Sequence, residues 1–130
     1  MRSDTYEAGK RNRTAVLGEQ YVQRASRDPS DFTAPLNDLI MEYCWGAVWD
    51  RPGLEFKTRS MLNIAMLTAL NRTEELALHV RGALTNGCTV NEIQEIVLQA
   101  AIYCGVPAAL DASRTVQRVL REHGQLESTG

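Results

Sequence analysis

Thr89-Val90-Asn91-Glu92-Ile93-Gln94-Glu95-Ile96-Val97-Leu98-Gln99-Ala100-Ala101-Ile102-Tyr103-Cys104-Gly105 reads as one helix with both of its ends encoded in the sequence. Thr89 and Glu92 match a capping box, in which hydroxyl and carboxylate each accept a backbone N–H that the start of a helix leaves unpaired. Ile93, Ile96, Val97, Ala100, Ala101 and Cys104 then recur at three and four residues as a single apolar stripe, the ordinary pattern of a helix packed on a core. Gly105 is suited to close that helix, and Pro107 bars its continuation.

The same spacing extends outward over residues 5–122, and no convincing run alternates with period two. The fold class is therefore all-α, with helices expected near residues 5–27, 33–49, 55–70, 72–86, 90–104 and 107–122. Asp28-Pro29-Ser30 and Arg51-Pro52-Gly53 supply breaks. Asn71, with Glu74 three residues on, is expected to cap the fourth helix, and Gly87 to close it. No repeat or linker divides the chain, so a single domain over residues 1–130 is expected.

Composition narrows the function. The chain has 130 residues, 44% hydrophobic and 23% charged, as in an ordinary globular protein. Lys plus Arg total 14 against 16 for Asp plus Glu, a net charge of -2, so no cationic excess is available to hold a phosphate backbone. Nucleic acid is not an expected partner. No apolar run approaches the roughly 18 residues of a membrane span. Met1-Arg2-Ser3-Asp4 leads into a polar segment rather than a secretory core, which points to the cytoplasm. Cys44, Cys88 and Cys104 are odd in number and widely spaced, against a disulfide framework, a redox pair or a structural zinc site.

The third helix carries Met61, Leu62, Ile64, Ala65, Met66, Leu67, Ala69 and Leu70 in nearly every direction. A subunit of this size has limited means to cover such a helix, so contact with another subunit is expected. The first helix is charged at Lys10, Arg11, Arg13, Glu19 and Arg24, which suggests a solvated face. The fourth divides into an apolar arc of Leu76, Val80, Ala83 and Leu84 and a polar strip of Arg72, Glu75, His79, Gly82 and Asn86. Glu75 lies one turn before His79, close enough to favour the charged imidazole or fix its orientation. Gly82 would leave room on that strip. A histidine so placed is suited to proton transfer near neutral pH; the alternative is a surface histidine with an ordinary ion-pair neighbour. Tyr43, Trp45 and Trp49 could wall a pocket with Arg51 at its mouth, or simply pack between helices. Arg59, Arg72 and Arg81 add cations suited to carboxylates. No phosphate-binding glycine loop, metal signature or nucleophile elbow occurs.

Three stretches together are specific: Trp45-Gly46-Ala47-Val48-Trp49-Asp50-Arg51-Pro52-Gly53-Leu54, Glu74-Glu75-Leu76-Ala77-Leu78-His79-Val80-Arg81-Gly82-Ala83-Leu84, and Tyr103-Cys104-Gly105-Val106-Pro107-Ala108-Ala109. With them the chain resembles the 4-carboxymuconolactone decarboxylase family over nearly its whole length after about residue 5. The resemblance implies a small helical subunit that assembles into a ring, typically a homohexamer, and a cofactor-free decarboxylase of aromatic catabolism through protocatechuate. It implies a dicarboxylate lactone as substrate and no metal. His79 oriented by Glu75 would transfer the proton, Arg51 and Arg59 would hold the remote carboxylate, and Trp45 and Tyr43 would form an apolar wall. In the related alkylhydroperoxidase branch the C-x-x-C cysteines fall on Arg72 and Glu75, which removes thiol peroxidase chemistry. Ala47, where an acidic residue is usual, motivates a member acting on a different lactone or oxo acid; Ser113 stands where an aromatic is commoner. A non-catalytic oligomeric binding protein is the remaining alternative.

Overall fold

A computed structural model describes residues 2–27 and 32–127, and the elements among them are helices joined by turns and bends. They divide into two compact units, Met1–Phe56 and Lys57–Gly130. The expected break at Asp28-Pro29-Ser30 lies outside the described residues.

In the first unit the single helix expected over residues 5–27 is two: α1 (Asp4–Leu17) and α2 (Glu19–Ser26). Gly18 between them has φ 92 and ψ 150, a conformation that a side chain would strain, and it ends one helix while starting the next. The expected helix over residues 33–49 begins as α3 (Ala34–Leu39) and continues as a π-helical segment, Ile40–Val48. The wider π turn shows in the backbone bond from Trp49 N–H to the Cys44 carbonyl, 3.0 Å.

Trp45 and Trp49, four residues apart on that turn, stack at 4.4 Å, and Phe56 meets Trp49 edge-on at 5.4 Å. Val16 completes this buried cluster. Backbone proximity allows it: a methyl group on Gly9 would overlap the Met41 carbonyl oxygen, and one on Gly46 the Thr5 carbonyl oxygen. Asn12 ties the two helices by donating to the Trp45 carbonyl at 3.0 Å and to Asp50 at 3.1 Å. The charged face of α1 needs one correction, because Arg13 is buried. It donates to Asn37 Oδ1 at 3.0 Å and lies over the Tyr21 ring, so its stem packs while its charge is shared. Lys10, Arg11, Glu19 and Arg24 are exposed as expected.

The second unit holds α4 (Phe56–Ala69), whose first residue closes the first unit, with α5 (Thr73–Thr85), α6 (Val90–Cys104) and α7 (Val106–Glu122). All four fall within one residue of the sequence expectation. Ile64, Leu76, Val80, Ile93, Ala112 and Val119 form its core. Asn71 does not cap α5. It takes φ 58 at the end of α4, where Arg72 N–H reaches the Leu67 carbonyl and Asn71 N–H the Thr68 carbonyl, the bonds of a left-handed C-terminal cap. Arg72 becomes the N-cap of α5, with no side-chain bond.

Helix α4 resolves its all-round apolar pattern into faces. Ser60, Ile64 and Thr68 are buried, while Leu62 and Met66, with Leu70 just past its end, are exposed. On α6, Ile93 and Ala100 are buried, Ile96, Val97 and Ala101 half-buried, and Cys104 exposed. No helix among the described residues is long and apolar enough to cross a membrane.

Two predictions follow from this packing. Because a methyl on Gly46 would overlap the Thr5 backbone as well as its Cγ2, Gly46→Ala should lower unfolding free energy by about 1–3 kcal/mol in a urea melt. The capping box forms as expected, with Glu92 Oε1 accepting Thr89 N–H at 2.9 Å and Lys57 2.9 Å from the other oxygen. The Thr89 backbone bond, then Lys57, holds the Glu92 carboxyl below its usual value. Folding therefore favours its charged form. That contribution is complete above the usual glutamate range and disappears as pH falls through the lowered folded value. Glu92→Gln should make the acid limb of a stability-against-pH curve shallower while leaving Lys57→Met little further to remove there.

Candidate active site

The polar strip of α5 sinks into the protein along its length. Arg72 and Glu75 are exposed, His79 and Asn86 half-buried, and Gly82 buried, so the room expected at Gly82 is already filled. The apolar arc is placed as expected, with Leu76, Val80 and Ala83 buried and Leu84 half-buried; Ala77 joins them.

The partners of the strip come from α4. Asn86 Nδ2 donates to Ser60 Oγ at 2.9 Å, and Asn63 Nδ2 lies 3.4 Å from His79 Nδ1. Ser60 is fully buried, and a buried hydroxyl without a partner would cost roughly 1–3 kcal/mol, so the Asn86 bond is what makes serine tolerable there. Thr68, the other buried hydroxyl of α4, satisfies itself by donating to the Ile64 carbonyl at 2.7 Å. Ser60 and Asn63 thus form a short polar seam, three residues apart on one face. The sequence carried its signal, two polar residues at helical spacing in a segment otherwise rich in apolar residues, but the apolar count obscured it.

The six residues singled out from sequence divide between the units. In the second, His79 sits on the seam, Arg59 is half-buried beside Ser60 on α4, and Glu75 is exposed at the first turn of α5. The side chain at Nδ1 of His79 is Asn63, which sequence reasoning did not single out. In the first unit, Trp45 is buried in the aromatic stack, whereas Tyr43 and Arg51 are exposed. Ala47 is exposed, and Ser113 is half-buried on α7, accepting from Gln117 at 2.9 Å.

Thiol chemistry has little support in the cysteines. Cys44, Cys88 and Cys104 are free, and Cys88 is buried. Burial, then the Glu92 charge, pushes the Cys88 thiol up, which favours the un-ionised, unreactive form. Among the described residues no group of three or more His, Cys, Asp and Glu side chains is placed to hold a metal ion.

Comparison with known proteins gives the chain a family. Residues 34–118 match the family model described as the carboxymuconolactone decarboxylase family. The chain is 43% identical over 117 residues to a nitrosuccinic acid decarboxylase of Metarhizium robertsii, covering 90% of this chain and 82% of that protein. It is 40% identical over 119 residues to a 4-carboxymuconolactone decarboxylase of Acinetobacter baylyi, covering 92% and 89%. An uncharacterised 15.0 kDa protein of Paracoccus denitrificans is 34% identical over 88 residues, 66% of each chain. An all-helical protein with these relatives is a carboxy-lyase. The chain belongs to the carboxymuconolactone decarboxylase family, as the resemblance of its motifs implied.

Proposed function

We propose that the protein decarboxylates 4-carboxymuconolactone to the 3-oxoadipate enol-lactone, without a cofactor, in cytoplasmic protocatechuate catabolism. The observation that carries this reading is the 40% identity, over 92% of the chain, to a protein named for that reaction.

The chemistry explains why no cofactor is needed. The leaving carboxylate is attached to the ring carbon next to oxygen; as its C–C bond breaks, the electron pair moves through the ring double bond into the lactone carbonyl. Carbon dioxide departs, and a proton then adds to the ring carbon beside the carbonyl. The protein has to anchor the remote carboxylate, stabilise the developing oxyanion and deliver the proton. We assign proton delivery to His79, with Glu75 one turn away on the same helix as its orienting partner, and the anchor to Arg59. The family resemblance alone nominates Arg51, Trp45 and Tyr43 as further substrate contacts.

A second reading has a specific observation in its favour. The relative at 43% identity is named for nitrosuccinic acid, which also bears two carboxylates, one on a carbon carrying a built-in electron acceptor. There the nitro group takes the electron pair as a nitronate, and the demands on the protein are the same. Ala47 is in keeping with a changed substrate. Carbon dioxide release from both acids separates the readings: faster turnover of the lactone supports the first, faster turnover of nitrosuccinate the second, and turnover of neither contradicts both. With the preferred acid, His79→Gln should lower kcat by about 10²–10⁴, the usual contribution of a positioned acid or base, and Glu75→Gln should lower it less.

The assembly belongs to the same proposal. Leu62 and Met66 on α4, Leu70 just beyond it, and Leu98, Ile102 and Tyr103 on α6 are large apolar side chains left exposed. Burial in a homo-oligomer, a hexamer by family resemblance, would remove them from water. Light scattering over a dilution series should find an assembly at micromolar concentration, and a monodisperse monomer would contradict it.

A further inference from the structure

We propose that the cleft between α6 and α7 binds a small monocarboxylate with an apolar body, whose carboxylate accepts a hydrogen bond from the Ser113 hydroxyl. None of the residues assigned to decarboxylation lines this cleft, so the site is additional to that reading and does not rest on it.

The direction of the hydroxyl follows from what each neighbouring atom is able to do. Ser113, Gln117 and Arg121 recur at every fourth residue of α7 and share one face. A guanidinium only donates, so the Gln117 atom 3.2 Å from Arg121 Nη2 is the carbonyl oxygen Oε1. Gln117 therefore turns its amide nitrogen to Ser113 and donates to Oγ at 2.9 Å. Oγ is the acceptor of that bond, and its own proton is left for another partner. A hydroxyl on a helix can give its proton to the carbonyl four residues back, as Thr68 does to Ile64 and Thr85 to Arg81. Ser113 makes no such bond, and its proton has no acceptor among the described residues.

This donor stands in the lining of a cleft of about 380 Å³, large enough for a small organic ligand. Its walls are Val90 and Val97 of α6 and Val116 and Leu120 of α7, with Leu126 beyond the end of α7. Such walls call for an apolar body. The polar groups call for an anionic head. No acidic side chain lines the cleft, and half-buried Arg121 has no carboxylate partner among the described residues, with its Nε buried and unbonded. Its charge polarises the chain through Gln117 to the Ser113 hydroxyl, which strengthens that hydroxyl as a donor. A carboxylate is the acceptor that gains most from such a donor. A dicarboxylate would have to set its second charge against the valines, at a cost that nothing there offsets. Leu98 also lines the cleft, so occupation by a second copy of the chain is the competing outcome.

Calorimetric titration of the full-length protein with octanoate tests the proposal, beside octylammonium, which lacks the carboxylate, and succinate, which lacks the apolar body. Saturable binding of octanoate is expected, with either other probe weaker by roughly tenfold or more. Ser113→Ala removes only the hydroxyl and should weaken octanoate about tenfold. Gln117→Leu frees the hydroxyl to turn back on its own helix and should weaken octanoate by a similar factor, with the double variant no worse than either single one. Ser113→Phe puts a ring in the cleft and should abolish binding. Thermal melts show which variants are folded, and Ser113→Ala with Gln117→Leu decides the matter if Ser113→Phe is not.

No saturable binding of octanoate to the wild-type protein, as when a second copy fills the cleft, would overturn the proposal. So would octylammonium binding as tightly as octanoate, or octanoate binding unchanged in folded Ser113→Ala or folded Ser113→Phe. Each readout is binding rather than turnover, so the decarboxylase reading stands or falls separately.

Discussion

The hydrogen bond from Asn86 to Ser60 fixes how α4 and α5 meet, and the arrangement around His79 depends on it. At 2.9 Å and with its Ser60 hydroxyl fully buried, it joins α4 to the end of α5 in a unit whose core is otherwise largely apolar. Apolar packing alone tolerates repacking among residues of similar size. A buried hydroxyl tolerates a shift in register poorly, because sliding takes it away from the group that bonds it. One turn of α4 further on, that register sets Asn63 against His79. Core packing thus supplies the stability of this unit, while a small number of polar atoms supply its specificity.

The second unit was legible in the sequence because each of its signals is local. The Thr89–Glu92 capping box, the stripe of α6 and the stop at Gly105 each work within a few residues, and the four helices form at the expected bounds. The errors arose where local signals competed. Asn71 has the side chain of an N-cap, but it also tolerates a left-handed backbone, and closing α4 prevailed over starting α5. Gly18 lies inside the span expected as one helix over residues 5–27 and is instead the break between two. Arg13 sits among exposed charges in sequence, yet Asn37 and Tyr21 draw it inward, and neither partner can be identified from spacing along α1.

The candidate site was legible to the same degree. His79 stood out because its helix has an apolar arc against which a polar strip is visible. Asn63 did not, since the meaning of an asparagine in an apolar helix depends on what the neighbouring helix places beside it. Spacing on one helix suggested Glu75 as the orienting group, and Asn63, which lies against Nδ1, comes from α4. Family membership adds what packing cannot, namely that the chemistry is loss of a carboxylate. For the lactone and for nitrosuccinate alike, the substrate itself can receive the electrons, and the proposed task of the protein is to place charge and deliver one proton.

That delivery is the centre of the account, and the face of the substrate carbon that receives the proton reports on it directly. Single-turnover decarboxylation of 4-carboxymuconolactone in deuterium oxide should give wild-type product with one deuterium, on one face of the ring carbon beside the carbonyl. A folded His79→Gln variant should react slowly and place deuterium on both faces, because solvent then supplies the proton without direction. The same rate and the same single face in His79→Gln would show that another group delivers the proton, and would contradict the account.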